Sequence, residues 1–174
     1  MTPRQFRGTR IFSAVPFYYF SMIGFDSVVY DIGCGWNIYK KYLPNLVGIS
    51  ADAPGSNSYH GDEFGFFDEQ YVNNNLQRFD NVIAMNSLHF IPLQDLKLRF
   101  EQLLKVTKPN GKVFAMMNVC HMIKNQREPV LNPIEYIRSE IGVFKDQIIC
   151  FELDDKNINE NMSEGTLRVV LQAY

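Results

Sequence analysis

Short apolar runs rich in β-branched residues alternate with amphipathic segments along most of this chain. Runs of this length are typical of buried strands, while apolar residues three and four positions apart, as in 93–106, predict a helix. Asp68 and Asn132 stand where helix N-caps are expected, and Pro133 occupies the first helical position. The predicted strands are 27–32, 46–50, 81–85, 112–119, 148–153 and 166–173, and the predicted helices are 36–43, 68–77, 93–106 and 133–141.

Strands separated by helices imply right-handed crossovers and a parallel sheet covered on both faces. The last two strands are joined by the polar segment 154–165 with no helix between them, so one of them is expected to be antiparallel. Between residues 50 and 80 there is room for one helix and at most a short strand near Tyr59. The pattern predicts a doubly wound α/β domain, and on topology alone a flavodoxin-like or other nucleotide-binding domain is an alternative.

Composition fits one domain over 1–174, with an aromatic helix or lid at 1–25 and a core at 26–174. Hydrophobic residues make up 46% of the chain and the net charge is −2, so no overall positive field attracts nucleic acid or an anionic membrane. The apolar stretch 11–25 is too short to span a bilayer and contains Pro16. With no targeting signal visible, we expect a cytoplasmic protein that does not bind membranes.

The cysteines and histidines lack the spacing of a metal site or a disulfide framework. Three cysteines in or beside apolar runs suit reduced, mostly buried thiols. Because the spacing of metal ligands is missing, we expect no bound metal ion. The residues concerned are Cys34, Cys120, Cys150, His60, His89 and His121.

The strongest chemical signal is the passage from strand 27–32 into a glycine turn. Asp31 ends the strand, and Gly33 and Gly35 follow it. A dinucleotide-binding G-x-G-x-x-G motif would need a third glycine where Ile38 stands. The stretch instead resembles the first motif of class I S-adenosylmethionine-dependent methyltransferases, D/E-x-G-x-G. By itself the same pattern also fits an ordinary tight turn.

Two further segments resemble the same family in the same order. Segment 79–92, FDNVIAMNSLHFIP, is similar to the fourth-strand motif, in which an aspartate opens the strand and a Ser-Leu-His loop closes it. Segment 103–113 is similar to the L-x-P-G-G turn into strand five, with Asn110 replacing one glycine. The resemblance implies a Rossmann-like, doubly wound, mostly parallel sheet with an antiparallel C-terminal strand. It also implies S-adenosyl-L-methionine as cofactor and methyl transfer as the reaction.

The resemblance assigns cofactor-binding roles residue by residue. Gly33 and Gly35 would pass under the methionyl group, and Asp31 would accept a hydrogen bond from its ammonium group. The family usually has an acid at the end of strand two, where this chain has Ser50, with Asp52 two residues later. Either Asp52 reaches the ribose, or Ser50 makes a weaker contact and Asp52 only caps a turn.

The remaining cofactor contacts come from the segment before strand four. Gly61-Asp62-Glu63-Phe64 resembles the adenine-contacting loop, with Asp62 at the exocyclic amine and Phe64 over the ring. The alternative is a surface acid pair beside a core phenylalanine.

Asn86 and His89 follow strand four, at the sheet edge where ligands bind in open α/β folds. Asn86 is a candidate for cofactor binding and catalysis, and His89 is either a catalytic base or a structural histidine. His121 is a weaker candidate base. The Asn/Asp-Pro-Pro-Tyr/Phe motif of DNA amino-methylases is missing, which with the charge argues against a nucleic-acid substrate.

Two functions follow from these residues. The first is a methyltransferase acting on a small acceptor or one presented by a protein partner. The second is a non-catalytic S-adenosylmethionine-binding or regulatory module with the same fold, which the missing ribose acid and the short middle segment favour.

Overall fold

The computed structural model describes residues 20–24, 26–51, 54–57, 60–154 and 165–174. Seven strands form one sheet in the order β3-β2-β1-β4-β5-β7-β6. The order reverses between β1 and β4, which creates the switch point where open α/β sheets bind ligands. The strands are β1 Val29–Ile32, β2 Leu46–Ser50, β3 Glu63–Phe64, β4 Phe79–Met85, β5 Thr107–Asn118, β6 Ile148–Asp154 and β7 Thr166–Gln172.

The strand directions confirm the predicted mostly parallel sheet. The first five strands pair in parallel, with Val29 opposite Leu46 and Asn81. β7 runs antiparallel to both β5 and β6, because the connection from β6 to β7 contains too few residues for a crossover helix. The C-terminal strand is therefore antiparallel, as the missing helix in the sequence predicted.

The helices of the structure differ from the predicted ones mainly in the short connections between elements. The predicted helix 36–43 is wrong, because Asn37 has a left-handed conformation and Pro44 follows, leaving only a 3₁₀ turn over Ile38–Lys41. Two further 3₁₀ turns cover Leu88–Phe90 and Leu93–Asp95. The α-helices are α1 Glu69–Asn74, α2 Leu96–Val106, α3 Val119–Lys124 and α4 Pro133–Gly142.

Both predicted helix caps are confirmed. The Asp68 side chain accepts a hydrogen bond from the Tyr71 backbone N–H, and the Asn132 side chain accepts one from that of Glu135. Helix α3 was not predicted, since six residues carry too little periodicity to distinguish a helix from a strand end.

Strand β5 is longer than predicted and includes the segment 108–111, which was expected to be a turn. The pairing with β4 shifts register there. A Cβ on Gly111 would lie 2.1 Å from the Asp80 carbonyl oxygen, so this close approach of two backbones requires glycine.

Apolar side chains cover both faces of the sheet. On one face α2 and α4 pack over a cluster in which Tyr30 and Phe79 stack at 4.2 Å. The other face is covered by a smaller cluster. Of the predicted N-terminal helix or lid only 20–24 is described, and there Phe20 packs edge-on against Tyr39 at 5.1 Å.

Within the described part of the chain, no helix is both long and apolar enough to cross a bilayer. All three cysteines are free thiols, and two of them are buried.

Candidate functional site

A cleft of about 650 Å³ opens at the carboxyl edge of the sheet, where β1, β2 and β4 end. This is the position that strand order alone assigns to a ligand. The lining combines the glycine turn with three loops and one helical side chain. It consists of Ile32, Gly33, Gly35, residues 49–51, 65–68, 86–88 and 90–91, and Arg99.

Both turn glycines need their backbone freedom, for different reasons. Gly33 and Gly35 have φ angles of 65° and 52°, in the left-handed region. A Cβ on Gly33 would lie 2.6 Å from the Ser87 Cβ, so the turn presses against the loop after β4. A Cβ on Gly35, which lines the cleft, would meet no atom of the described residues within 4 Å.

Asp31 is the third residue of β1, two positions before Gly33, and is 2% exposed. Burial raises the pKa of its carboxyl group well above the ordinary value of 3.8. Its Oδ2 atom has no hydrogen-bond partner among the described residues. A buried carboxylate oxygen of this kind is costly unless a cation or a donor satisfies it or the group is protonated.

Asn86 lies at the end of β4 and lines the cleft in a left-handed conformation, with φ 57°. Its backbone N–H donates to the Met116 carbonyl at 2.7 Å, which holds the loop against β5. His89 belongs to the 3₁₀ turn Leu88–Phe90, and its side chain is outside the described part of the structure.

The end of β2 also reaches the cleft. Ser50 is buried there, and its carbonyl accepts from the Gly65 N–H at 3.0 Å. This bond attaches loop 65–68 to β2. Asp52 lies outside the described residues, so its proposed ribose contact stays a prediction.

Asp62 and Phe64 do not line the cleft. The Asp62 Oδ2 accepts from the Gly48 N–H at 2.9 Å and from Asn37 Nδ2 at 3.1 Å, and Lys40 pairs with its other oxygen. Phe64 is 48% exposed on β3. Residues 65–68 line the cleft instead, because Phe64 pairs with Ser50 and the following residues are the ones that pass the strand end.

The Asp62 contacts join the segment after the glycine turn to β2. Partial burial by itself would raise the pKa of this carboxyl group, but hydrogen bonds from Lys40, Gly48 and Asn37 lower it below 3.8. A lowered folded-state pKa contributes stability that is present above pH 3.8 and lost as the pH falls through the folded value.

We expect Asp62→Asn to lower the free energy of unfolding by about 1 kcal/mol at pH 7, since the pair is partly solvent-screened. The difference from the unchanged protein should shrink below pH 4. Thermal unfolding between pH 2.5 and 7 measures this, with the exposed Asp26→Asn as control. Equal stability of both variants at pH 7 would contradict the role of Asp62.

Three residues that line the cleft were not predicted from the sequence: Phe66, Phe90 and Arg99. Phe66 and Phe90 are 63% and 68% exposed, which is unusual for phenylalanine. Arg99 comes from α2, and its Nη1 donates to the Phe67 carbonyl at 2.5 Å and to Gln102 Oε1 at 2.8 Å. The sequence signal available for Phe66 was the aromatic pair Phe66-Phe67 directly after Gly65.

His121 is exposed on α3, with its ring 6.3 Å from that of Phe90. Among the described residues no cluster of His, Cys, Asp or Glu is arranged to hold a metal ion.

The sequence matches no protein-family model and no curated protein. Solved structures nevertheless share its fold. An S-adenosylmethionine-dependent methyltransferase from Methanosarcina mazei aligns with TM-score 0.59 at 15% identity, over 90% of this chain and 96% of that one. One from Archaeoglobus fulgidus aligns with TM-score 0.55 at 15% identity, over 97% and 94% of the two chains.

A third similar structure is a 16S rRNA adenine methyltransferase from Catenulisporales acidiphilia, determined with S-adenosylmethionine bound. It aligns with TM-score 0.52 at 16% identity, over 85% of this chain and 86% of that one. At these identities the likeness establishes the fold, which is the class I methyltransferase fold predicted from the motifs.

Proposed function

We propose that this chain binds S-adenosylmethionine in the cleft and transfers its methyl group to a small or partner-presented acceptor. One observation carries the proposal: the glycine turn lines the cleft and directly follows Asp31 and Ile32, and the buried Asp31 carboxyl group has an unpartnered oxygen. The shared fold supports it, because the similar structures named above are methyltransferases.

The described residues fit this cofactor. Gly35 lines the cleft and leaves room for a ligand, and the unpartnered Asp31 carboxyl group would accept a hydrogen bond from the ammonium group of the cofactor. Ser50 and loop 65–68 line the cleft, and we infer that Ser50 would contact the ribose and Phe66 the adenine. When bound, the cofactor supplies a methyl group activated by a sulfonium.

The chain's own contribution is to bind and orient. Displacement of a methyl group needs the acceptor in line with the bond that breaks, so positioning accounts for much of the rate. Asn86 and Phe90 line the cleft beyond β4, and Phe90 is exposed. An acceptor molecule can therefore approach the cleft from the side formed by Asn86 and Phe90.

The non-catalytic alternative is favoured by the short middle of the fold. Between β2 and β4 the described residues form the two-residue strand β3 and the six-residue helix α1. This leaves little chain around the ribose and adenine, so weak cofactor binding without turnover is the competing outcome.

Calorimetric titration with S-adenosylmethionine and S-adenosylhomocysteine tests the proposal. We expect each to bind one site per chain, and ATP, which has the adenosine but no methionyl group, to bind at least tenfold more weakly. Absence of binding by both ligands would exclude the function. Binding of both, without formation of S-adenosylhomocysteine in the presence of any acceptor from a broad panel, would favour the non-catalytic module.

A further inference from the structure

The loop after β4 and the start of α2 form one wall of the cleft. Asn86 and Phe90 come from the loop, and Arg99 lies in the first turn of α2. Among the described residues that line the cleft, Arg99 is the only one with a positive charge. Under the proposed function the acceptor approaches along this wall, so an acceptor can come into contact with Arg99.

The Arg99 guanidinium uses one part of its hydrogen-bonding capacity and leaves another part unused. Nη1 donates to the Phe67 carbonyl at 2.5 Å and to Gln102 Oε1 at 2.8 Å. Nε is buried and has no hydrogen-bond partner among the described residues. Because the Nε–H and one N–H of Nη2 point to the same side of the planar group, they form a fork that neither of these bonds uses. A buried donor without a partner is costly, which favours a ligand that accepts hydrogen bonds there.

The charge of Arg99 is likewise not neutralised by a described side chain. Both of its partners are neutral. Asp68, the other charged residue of the lining, caps α1 and accepts from the Tyr71 N–H at 2.8 Å. The remaining arginines of the described residues each have a carboxylate partner, in the pairs Arg78–Glu63, Arg127–Asp95, Arg138–Glu135 and Arg168–Glu152.

Resting on the proposed function, we propose that the Arg99 fork recognises the methyl acceptor, and that the acceptor is a small molecule with a carboxylate group. Two parallel N–H···O bonds from a guanidinium match the two oxygens of a carboxylate. The charge of the cofactor favours the same class of acceptor. S-adenosylmethionine has a net positive charge, so an anionic acceptor in the cleft is attracted both to the cofactor and to Arg99.

Benzoate and benzamide have nearly the same shape, and only benzoate is ionised at pH 7. Nuclear magnetic resonance titration of the ¹⁵N-labelled chain observes the Arg99 Nε–H directly. We expect benzoate to shift this signal and to slow its hydrogen exchange, and benzamide to bind about tenfold more weakly. Equal affinities for the two probes, or an Arg99 signal that benzoate leaves unchanged, would overturn the proposal.

Variants separate the fork from the charge. Arg99→Met should weaken benzoate binding by about tenfold or more, and Arg99→Lys, which keeps the charge without the fork, should have an intermediate effect. Arg127→Met removes an arginine outside the cleft lining and should leave benzoate binding unchanged. Equal affinities in the unchanged chain and a folded Arg99→Met variant would contradict the assignment. The signal of the unchanged chain decides the question if Arg99→Met does not fold.

The methionyl group of the cofactor also has a carboxylate, and titration of benzoate into the chain saturated with S-adenosylhomocysteine distinguishes the two sources. Unchanged benzoate affinity supports the acceptor role. If S-adenosylhomocysteine displaces benzoate and itself shifts the Arg99 signal, the fork binds the cofactor and the proposal is wrong.

The same titrations keep this proposal separate from the proposed function. If benzoate binds at Arg99 but neither S-adenosylmethionine nor S-adenosylhomocysteine binds, the acceptor role fails together with the proposed function. If S-adenosylhomocysteine binds and benzoate does not, the proposed function stands and the carboxylate acceptor is wrong.

Discussion

Asp31→Asn should make the ligand-free chain more stable while weakening its affinity for S-adenosylmethionine. The carboxyl group is 2% exposed, and burial raises its pKa well above 3.8. A raised folded-state pKa gives stability that is full below pH 3.8 and is lost as the pH rises toward the folded value. Removing the ionisable group should therefore raise the free energy of unfolding at pH 7 by about 1–3 kcal/mol.

The expected loss of affinity for S-adenosylmethionine also arises from the ionisation of the Asp31 carboxyl group. A cation bound above Asp31 would stabilise its ionised form, so binding should release a proton and affinity should rise with pH. Asparagine removes a charge-assisted hydrogen bond, which corresponds to about a tenfold to hundredfold weaker binding. Calorimetry between pH 5 and 8 should show a pH-dependent affinity that the variant lacks.

Asp80→Asn is the matched control. Hydrogen bonds from Lys108 and the Val28 N–H lower the pKa of Asp80, so its removal should destabilise the chain rather than stabilise it. Asp80 lies at the opposite end of β4 from Asn86, and its substitution should leave cofactor affinity unchanged. An Asp31→Asn variant that binds S-adenosylmethionine as tightly as the unchanged chain would contradict the assignment of Asp31.

Gly35→Ala should reduce cofactor affinity by more than tenfold without unfolding the chain. Gly35 lines the cleft and the added methyl group meets no described atom within 4 Å, so we expect it to compete with the ligand for this space. The left-handed φ of 52° adds strain of about 1–2 kcal/mol, which a folded domain tolerates. Calorimetric titration and thermal unfolding measure the two effects separately.

Gly55→Ala provides the control for strain. Gly55 also has a positive φ, 87°, and an added Cβ would meet no described atom within 4 Å, but Gly55 does not line the cleft. The two variants should lose similar stability, and only Gly35→Ala should lose affinity. An equal loss of affinity in both would mean that strain, not occupation of the cleft, is responsible.

The parts of the fold that local patterns specify were predictable. Strand β2 has the predicted bounds, and α4 begins at Pro133 as predicted, because apolar periodicity and caps act over a few neighbouring residues. The acid-and-glycine pattern from Asp31 to Gly35 likewise located the turn beside the cleft, since glycine permits the left-handed φ angles that this turn adopts.

Tertiary structure decided the rest of the site. Asp62 and Phe64 are close to the cleft in sequence, but the pairing of Phe64 with Ser50 places loop 65–68 at the strand end instead. Phe90 and His121 are brought together only because β4 and β5 are neighbours.

The sequence by itself determined a mostly parallel α/β sheet and the turn that follows its first strand. The turn and the individual strands depend on residues within a few positions of one another, and the alternation of strands with helices then implies parallel pairing. Only the tertiary structure decided that the Asp31 carboxyl group is buried with an unpartnered oxygen, and therefore holds a raised pKa. Desolvation depends on every segment that excludes water from a group, and most of those segments are distant in the chain.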